Sequence, residues 1–185
     1  MIKVNKLLSI LFLISVILLF GCNKETSSEQ LKDSNQKTTN FQTYSDSKNT
    51  FSIDYPPDWE VIDDVEIGGG IKFVVPNASD MFPDSLIIVW SDLTVDPMTL
   101  EEINELNMQM QSILYPNVIS TDSNRITFLN YDAYELIHVS EYTKSKTISI
   151  IVNNNAFILT FSASVKTYDQ YQNLVDQMLN SFEVN

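Results

Sequence analysis

Thr147-Ile148-Ser149-Ile150-Ile151-Val152-Asn153-Asn154-Asn155-Ala156-Phe157-Ile158-Leu159-Thr160-Phe161-Ser162-Ala163 reads as two strands joined by a tight turn. Ile148, Ile150 and Val152 alternate with Thr147 and Ser149, the period of two that marks a half-buried strand. Asn153 to Asn155 supply the loop, because asparagine tolerates left-handed backbone angles better than most residues. The return strand, Ala156 to Ala163, then places Phe157, Leu159 and Phe161 on one side. A link this short allows only antiparallel pairing, so the sheet around it is expected to be antiparallel.

Working outward, the same alternation recurs. Phe51, Ile53 and Tyr55 alternate with Ser52 and Asp54, and Pro56-Pro57 stops that strand. Ile71, Phe73 and Val75 form another, after a Gly68-Gly69-Gly70 loop. Leu86 to Trp90 is apolar on both faces and belongs in the middle of the sheet. Tyr131-Asp132 marks a turn before a strand from Ala133 to Tyr142.

Two helices interrupt the strands. Thr99-Leu100-Glu101-Glu102 is a capping box that opens a helix through about residue 114, ended by Pro116. Its apolar stripe is Leu100, Ile103, Leu106, Met110 and Ile113. The second runs from about Thr167 to Phe182, with Tyr168, Tyr171, Leu174, Val175, Met178, Leu179 and Phe182 spaced at three and four. That face needs a partner, and the sheet is the one available. The fold class expected is α+β, an antiparallel β-sheet flanked by helices.

Tyr44-x-Asp46, followed by Phe51-Ser52-Ile53-Asp54-Tyr55-Pro56-Pro57-Asp58-Trp59, resembles the opening of PsbP-like domains, a strand followed by a Tyr-Pro-x-x-Trp turn. Tyr131-Asp132-Ala133-Tyr134-Glu135, the hairpin and the closing Tyr168-x-x-Tyr171 to Asn180-Ser181-Phe182 agree in order. The resemblance spans about residues 41 to 184 and implies an α-β-α sandwich. In that family PsbP itself is an extrinsic subunit of the photosynthetic oxygen-evolving complex. A Ran-binding nuclear import factor shares the sandwich, and bacterial and archaeal relatives are often lipoproteins. The resemblance thus implies docking to other proteins rather than catalysis. The residues that carry it are structural, and fold alone does not carry function.

The beginning of the chain carries an address. Lys3 and Lys6 precede Leu7 to Phe20, which is apolar apart from Ser9 and Ser15. At about 14 residues, or roughly 20 Å of helix, this run falls short of a roughly 30 Å bilayer core. It reads as a secretory signal over residues 1–21 rather than a spanning helix. Leu19-Phe20-Gly21-Cys22 resembles the lipobox of prokaryotic lipoproteins, with Phe20 a less usual middle residue. That resemblance implies lipidation of Cys22 and cleavage before it. Cys22 is the only cysteine, so no intrachain disulfide forms, and lipidation accounts for its thiol. Each buried CH₂ contributes about 0.8 kcal/mol, and stable anchoring takes more than one acyl chain. Residues 22–40 hold almost no apolar side chains and are expected to be a disordered polar tether. Residues 41–185 have the size of one domain. The expected location is the extracytoplasmic face of the cell membrane.

The chain carries 11 basic and 24 acidic residues, for a net charge of −13. Lys3 and Lys6 are two of the bases, so a cleaved chain is more acidic still. A nucleic-acid partner is excluded for want of a basic face.

Chemistry-bearing residues are few. His138, the one histidine, sits mid-strand, where a satisfied strand residue is the simpler reading than part of a nucleophilic triad. Multi-histidine or multi-cysteine zinc sites are excluded by count. Gly68-Gly69-Gly70 lacks the Lys-Ser/Thr ending of a phosphate loop. Asp58, Asp63, Asp64 and Glu66 form one acidic patch, and Asn77, Asp80 and Asp84 another. Oxygen ligands of this kind suit Ca²⁺, although neither patch has calcium-loop spacing. Asn77-Ala78-Ser79 is a glycosylation sequon, meaningful only in a glycosylating host. Trp59 and Trp90 read as core or rim packing; exposed together, they would form a partner-binding patch. Without a catalytic or cofactor motif, the expectation is a non-enzymatic, lipid-anchored module that binds a protein. A cation- or small-ligand-binding surface lipoprotein is the alternative.

Overall fold

The computed structural model describes residues 40–48, 50–63, 70–76, 84–114 and 117–185. The signal and nearly all of the tether lie outside the described residues, as do Asp64, Glu66, Gly68, Gly69, Asn77, Asp80 and Pro116. The elements are β1 (Gln42–Ser45), β2 (Phe51–Tyr55), β3 (Glu60–Asp63), β4 (Gly70–Val74), β5 (Ser85–Asp92) and α1 (Leu100–Leu114). Then follow β6 (Val118–Phe128), β7 (Tyr131–Ser140), β8 (Thr143–Val152), β9 (Asn155–Ser164), α2 (Tyr168–Asn180) and β10 (Glu183–Val184).

The expected hairpin is β8 and β9, paired antiparallel from Thr143 with Ser164 to Val152 with Asn155. Asn153 and Asn154 both have positive φ, 51° and 59°, the two-residue turn whose twist matches the flanking strands. Leu129 and Asn130 make the same turn between β6 and β7, with φ of 50° and 69°. This corrects the expected position of that turn, because Tyr131 and Asp132 already belong to the strand. The hairpin sits inside a seven-stranded sheet ordered β3-β4-β5-β9-β8-β7-β6, with every neighbouring pair antiparallel. β5 is interior, as its two apolar faces require. A second, three-stranded sheet has the order β1-β2-β10.

One face of the large sheet carries the core. Phe73, Leu86, Ile88, Ile150, Phe157, Leu159 and Phe161 bury against Val175, Met178 and Leu179 of α2 and against Phe51 and Ile53 of β2. Phe51, Phe157 and Phe182 form an aromatic cluster, with Phe182 centroids 5.5 Å from Phe51 and 5.6 Å from Phe157. Burying each large apolar side chain contributes about 1.5–3 kcal/mol. The helix-flanked sandwich is therefore only part of the architecture: on this face a small sheet shares the covering layer with α2.

Asp46 holds the β1–β2 connection. Its buried carboxylate accepts hydrogen bonds from the backbone N–H of Lys48 (3.1 Å), Phe51 (3.0 Å) and Thr50, and from the Thr50 hydroxyl (3.1 Å). That arrangement fixes where β2 starts and so where Phe51 enters the core.

Candidate functional site

The opposite face of the large sheet is built differently. Along β8, Lys146, Ile148 and Ile150 point to the α2 side, and the alternating residues Ser145, Thr147 and Ser149 point away from it; all three are buried. The strand register sets Ser145 beside His138 on β7 and Ser162 on β9, and His138 beside Thr121 on β6. Helix α1 lies over this hydroxyl row and meets it with amides. Asn104 Oδ1 accepts from the Ser123 hydroxyl at 3.0 Å. Asn107 Nδ2 donates to Ser149 Oγ at 2.9 Å. Gln111 Oε1 accepts from Ser145 Oγ at 3.4 Å. The Thr147 and Thr160 hydroxyls share a bond of 3.1 Å.

The sheet-facing side of α1 is thus Leu100, Ile103, Asn104, Asn107 and Gln111, all buried. This corrects the expected stripe: Leu106 and Met110 are half-buried, and Ile113 is exposed. The capping box is present as expected. Thr99 N–H donates to Glu102 Oε2 at 2.9 Å, and Glu102 N–H donates to Thr99 Oγ1 at 3.2 Å. The first turn has an apolar seat, where Ile103 packs with Leu93, Ala156, Met98, Ile151 and Ile158, and farther along the buried Leu136 of β7 lies on the same sheet face. A hydrogen bond contributes about 1 kcal/mol net, less than one buried apolar side chain, so each amide contact of α1 holds less than each buried apolar residue of α2.

His138 is buried in this layer, with Nδ1 3.0 Å from the Thr121 hydroxyl, and burial lowers its pKa. Lys72 lies on the same face of β4, beside Ile62 and Ile87 in the register; its partial burial lowers its pKa as well.

At one end of the sheet, apolar side chains gather on the surface. Ile119 is 70% exposed, Ile113 66% and Tyr142 66%, and Val118 and Val165 are also exposed. They come from the last turn of α1, the start of β6, the β7–β8 turn and the β9–α2 loop. Backbone bonds bring three of these segments together: Val165 N–H to Tyr142 O at 3.0 Å, and Glu141 N–H to Asn117 O at 3.3 Å. On an acidic chain, a gathered apolar rim is a candidate protein-contact surface.

The residues singled out from sequence fall elsewhere. Trp59 is only 5% exposed, its ring edge-on to Tyr171 at 6.1 Å. Trp90 is half-buried against Phe51 at 5.0 Å. Trp59 is thus a core residue and Trp90 packs at the edge of the core, so the two are not exposed together as a patch built from them would require. The turn at Pro56, closed by Trp59 N–H to Pro56 O at 3.0 Å, swings the indole inward. Asp58 is exposed, and Asp63 accepts from the Tyr44 hydroxyl at 2.7 Å. Asp84 is buried and accepts from Ser164 N–H at 2.9 Å. Among the described residues no three His, Cys, Asp or Glu side chains converge on a metal position. The apolar rim had a weak signal in sequence, Val118-Ile119 following Pro116-Asn117.

No protein-family profile and no curated protein sequence matches the chain. Solved structures do. The solution structure of cyanobacterial PsbP from Synechocystis aligns with a TM-score of 0.58 at 15% identity, covering 83% of this chain and 98% of that one. The Ran-binding protein Mog1p of Saccharomyces cerevisiae aligns with a TM-score of 0.53 at 12% identity, covering 79% and 96%. A protein of unknown function from Pseudomonas aeruginosa aligns at 0.51 and 11%, covering 76% and 94%. The fold is PsbP-like, with antiparallel sheets and two helices.

Proposed function

We propose that this chain is a lipid-anchored, extracytoplasmic module that docks a protein partner and carries out no catalysis. The observation that carries the reading is the exposed rim of Ile113, Val118, Ile119, Tyr142 and Val165 at one end of the large sheet. One protein of the same fold, Mog1p, is named for binding another protein, Ran. The address rests on the lipobox-like Leu19-Phe20-Gly21-Cys22 behind an apolar run too short to span. The non-enzymatic part rests on a lone histidine bonded to Thr121 beneath α1.

Two measurements test the two halves. Cys22→Ser is expected to move the protein from the detergent phase to the aqueous phase; retention in the detergent phase would remove the lipid anchor. Crosslinking on intact cells is expected to give an adduct that Ile119→Lys/Tyr142→Ser abolishes. Val95→Lys, at a surface residue outside the rim, should leave that adduct intact. An adduct insensitive to both would remove the rim as the contact.

A further inference from the structure

The two helices hold the sheet by different chemistry. α2 presents Tyr168, Val175, Met178 and Leu179 to an apolar core. α1 presents Asn104, Asn107 and Gln111 to hydroxyls. Its attachments also weaken along its length. The first turn has the capping box, the Glu101–Arg125 ion pair at 2.9 Å and the Ile103 seat. Bonds of 3.0 Å and 2.9 Å hold the middle. Toward the end, among the described residues, the polar contact to the sheet is one bond of 3.4 Å, Ile113 is exposed, and the last turn has no basic residue to complement the helix dipole. Downstream, the β6–β7 ladder is irregular between Val118 and Ser120, so regular pairing of the strand that receives the helix begins only at Ser120.

We infer that α1 is a hinged cover: it pivots on its N-terminal turn and lifts from its C-terminal end, opening the hydroxyl-lined face of β7 and β8. Neither side is left with an unsatisfied polar group on opening. The amides of Asn104, Asn107 and Gln111 and the hydroxyls of Ser123, Ser145 and Ser149 exchange each other for water, which apolar partners could not do at comparable cost. Such an opening is a local event, distinct from global unfolding. The face it uncovers carries the hydroxyls of Thr121, Ser145 and Ser162 around His138, with Leu136 the apolar residue beside them on β7.

Hydrogen exchange on the full chain decides the matter. Amides of residues 105–114 are expected to exchange at least about tenfold faster than those of residues 172–180 in α2, with a rate that low urea barely changes. Equal rates with equal, steep urea dependence would mean that both helices open only on unfolding and would overturn the inference. The second arm replaces the central polar pair by apolar groups, Asn107→Leu/Ser149→Ala. Slower exchange in α1, with α2 unchanged, supports the cover. If the variant folds and α1 exchange does not slow, the polar layer is not what lets it lift. Should the variant not fold, the unsubstituted chain still gives the answer.

Discussion

The Tyr44 hydroxyl donates to the Asp63 carboxylate at 2.7 Å and so ties the small sheet to the outermost strand of the large one. Its ring does separate work, lying edge-on to Phe73 at 5.9 Å and 6.0 Å from Phe51. Burial and the hydrogen bond to Asp63 both raise the pKa of the phenol, so it stays protonated at neutral pH. Tyr44→Phe should cost about 1 kcal/mol and Tyr44→Ala about 3 kcal/mol in urea unfolding. Equal losses would place the whole contribution in the hydroxyl.

Asp46 should matter more than its surface loop suggests. Asp46→Ala strands the N–H groups of Thr50 and Phe51 where the carboxylate now accepts them, and is expected to cost about 2–3 kcal/mol. Asp46→Asn keeps an acceptor and should recover part of that loss. Denaturation midpoints of the two variants check the order.

His138 makes stability depend on mild acid. Burial lowers its folded pKa, so between that value and the unfolded value of about 6.5 the unfolded chain binds the proton more readily. Its contribution is complete above about pH 6.5 and is lost as the pH falls below it. His138→Gln should flatten the fall in urea midpoint between pH 7.5 and 5.5. An unchanged slope would assign the acid sensitivity to other groups.

One substitution should stabilise. Asn154, at φ 59°, occupies the second turn position of the β8–β9 hairpin, where glycine meets no Cβ penalty. Asn154→Gly is expected to raise stability by up to about 0.5 kcal/mol, read as a higher melting temperature. A fall would show that glycine's extra freedom in the unfolded chain outweighs the gain.

What sequence could reveal followed the contrast between apolar and polar positions. β2, the β8–β9 hairpin and α2 announce themselves because one side of each is apolar and buried. The length and capping box of α1 were legible too, yet its buried side was not. A moment built on hydrophobicity selects Leu106, Met110 and Ile113, while the sheet beneath offers hydroxyls and selects Asn104, Asn107 and Gln111. For the same reason Thr147 and Ser149, which alternation sets opposite the apolar side, are buried under a helix. β6 carries Ser, Thr, Asp, Asn and Arg at an edge, exposed along most of its length, and gives no periodic signal. The rim at Ile119 and Tyr142 exists only because three loops meet, and no local window contains that.

β10 pairs with β2, Glu183 opposite Ser52 and Val184 opposite Phe51, and Asn185 N–H reaches Thr50 O. The first core strand therefore waits for residues more than a hundred positions downstream before its second side is filled. A chain emerging N-terminus first leaves Phe51 and Ile53 in an incomplete sheet until residue 184 has appeared, so the small sheet closes late in synthesis.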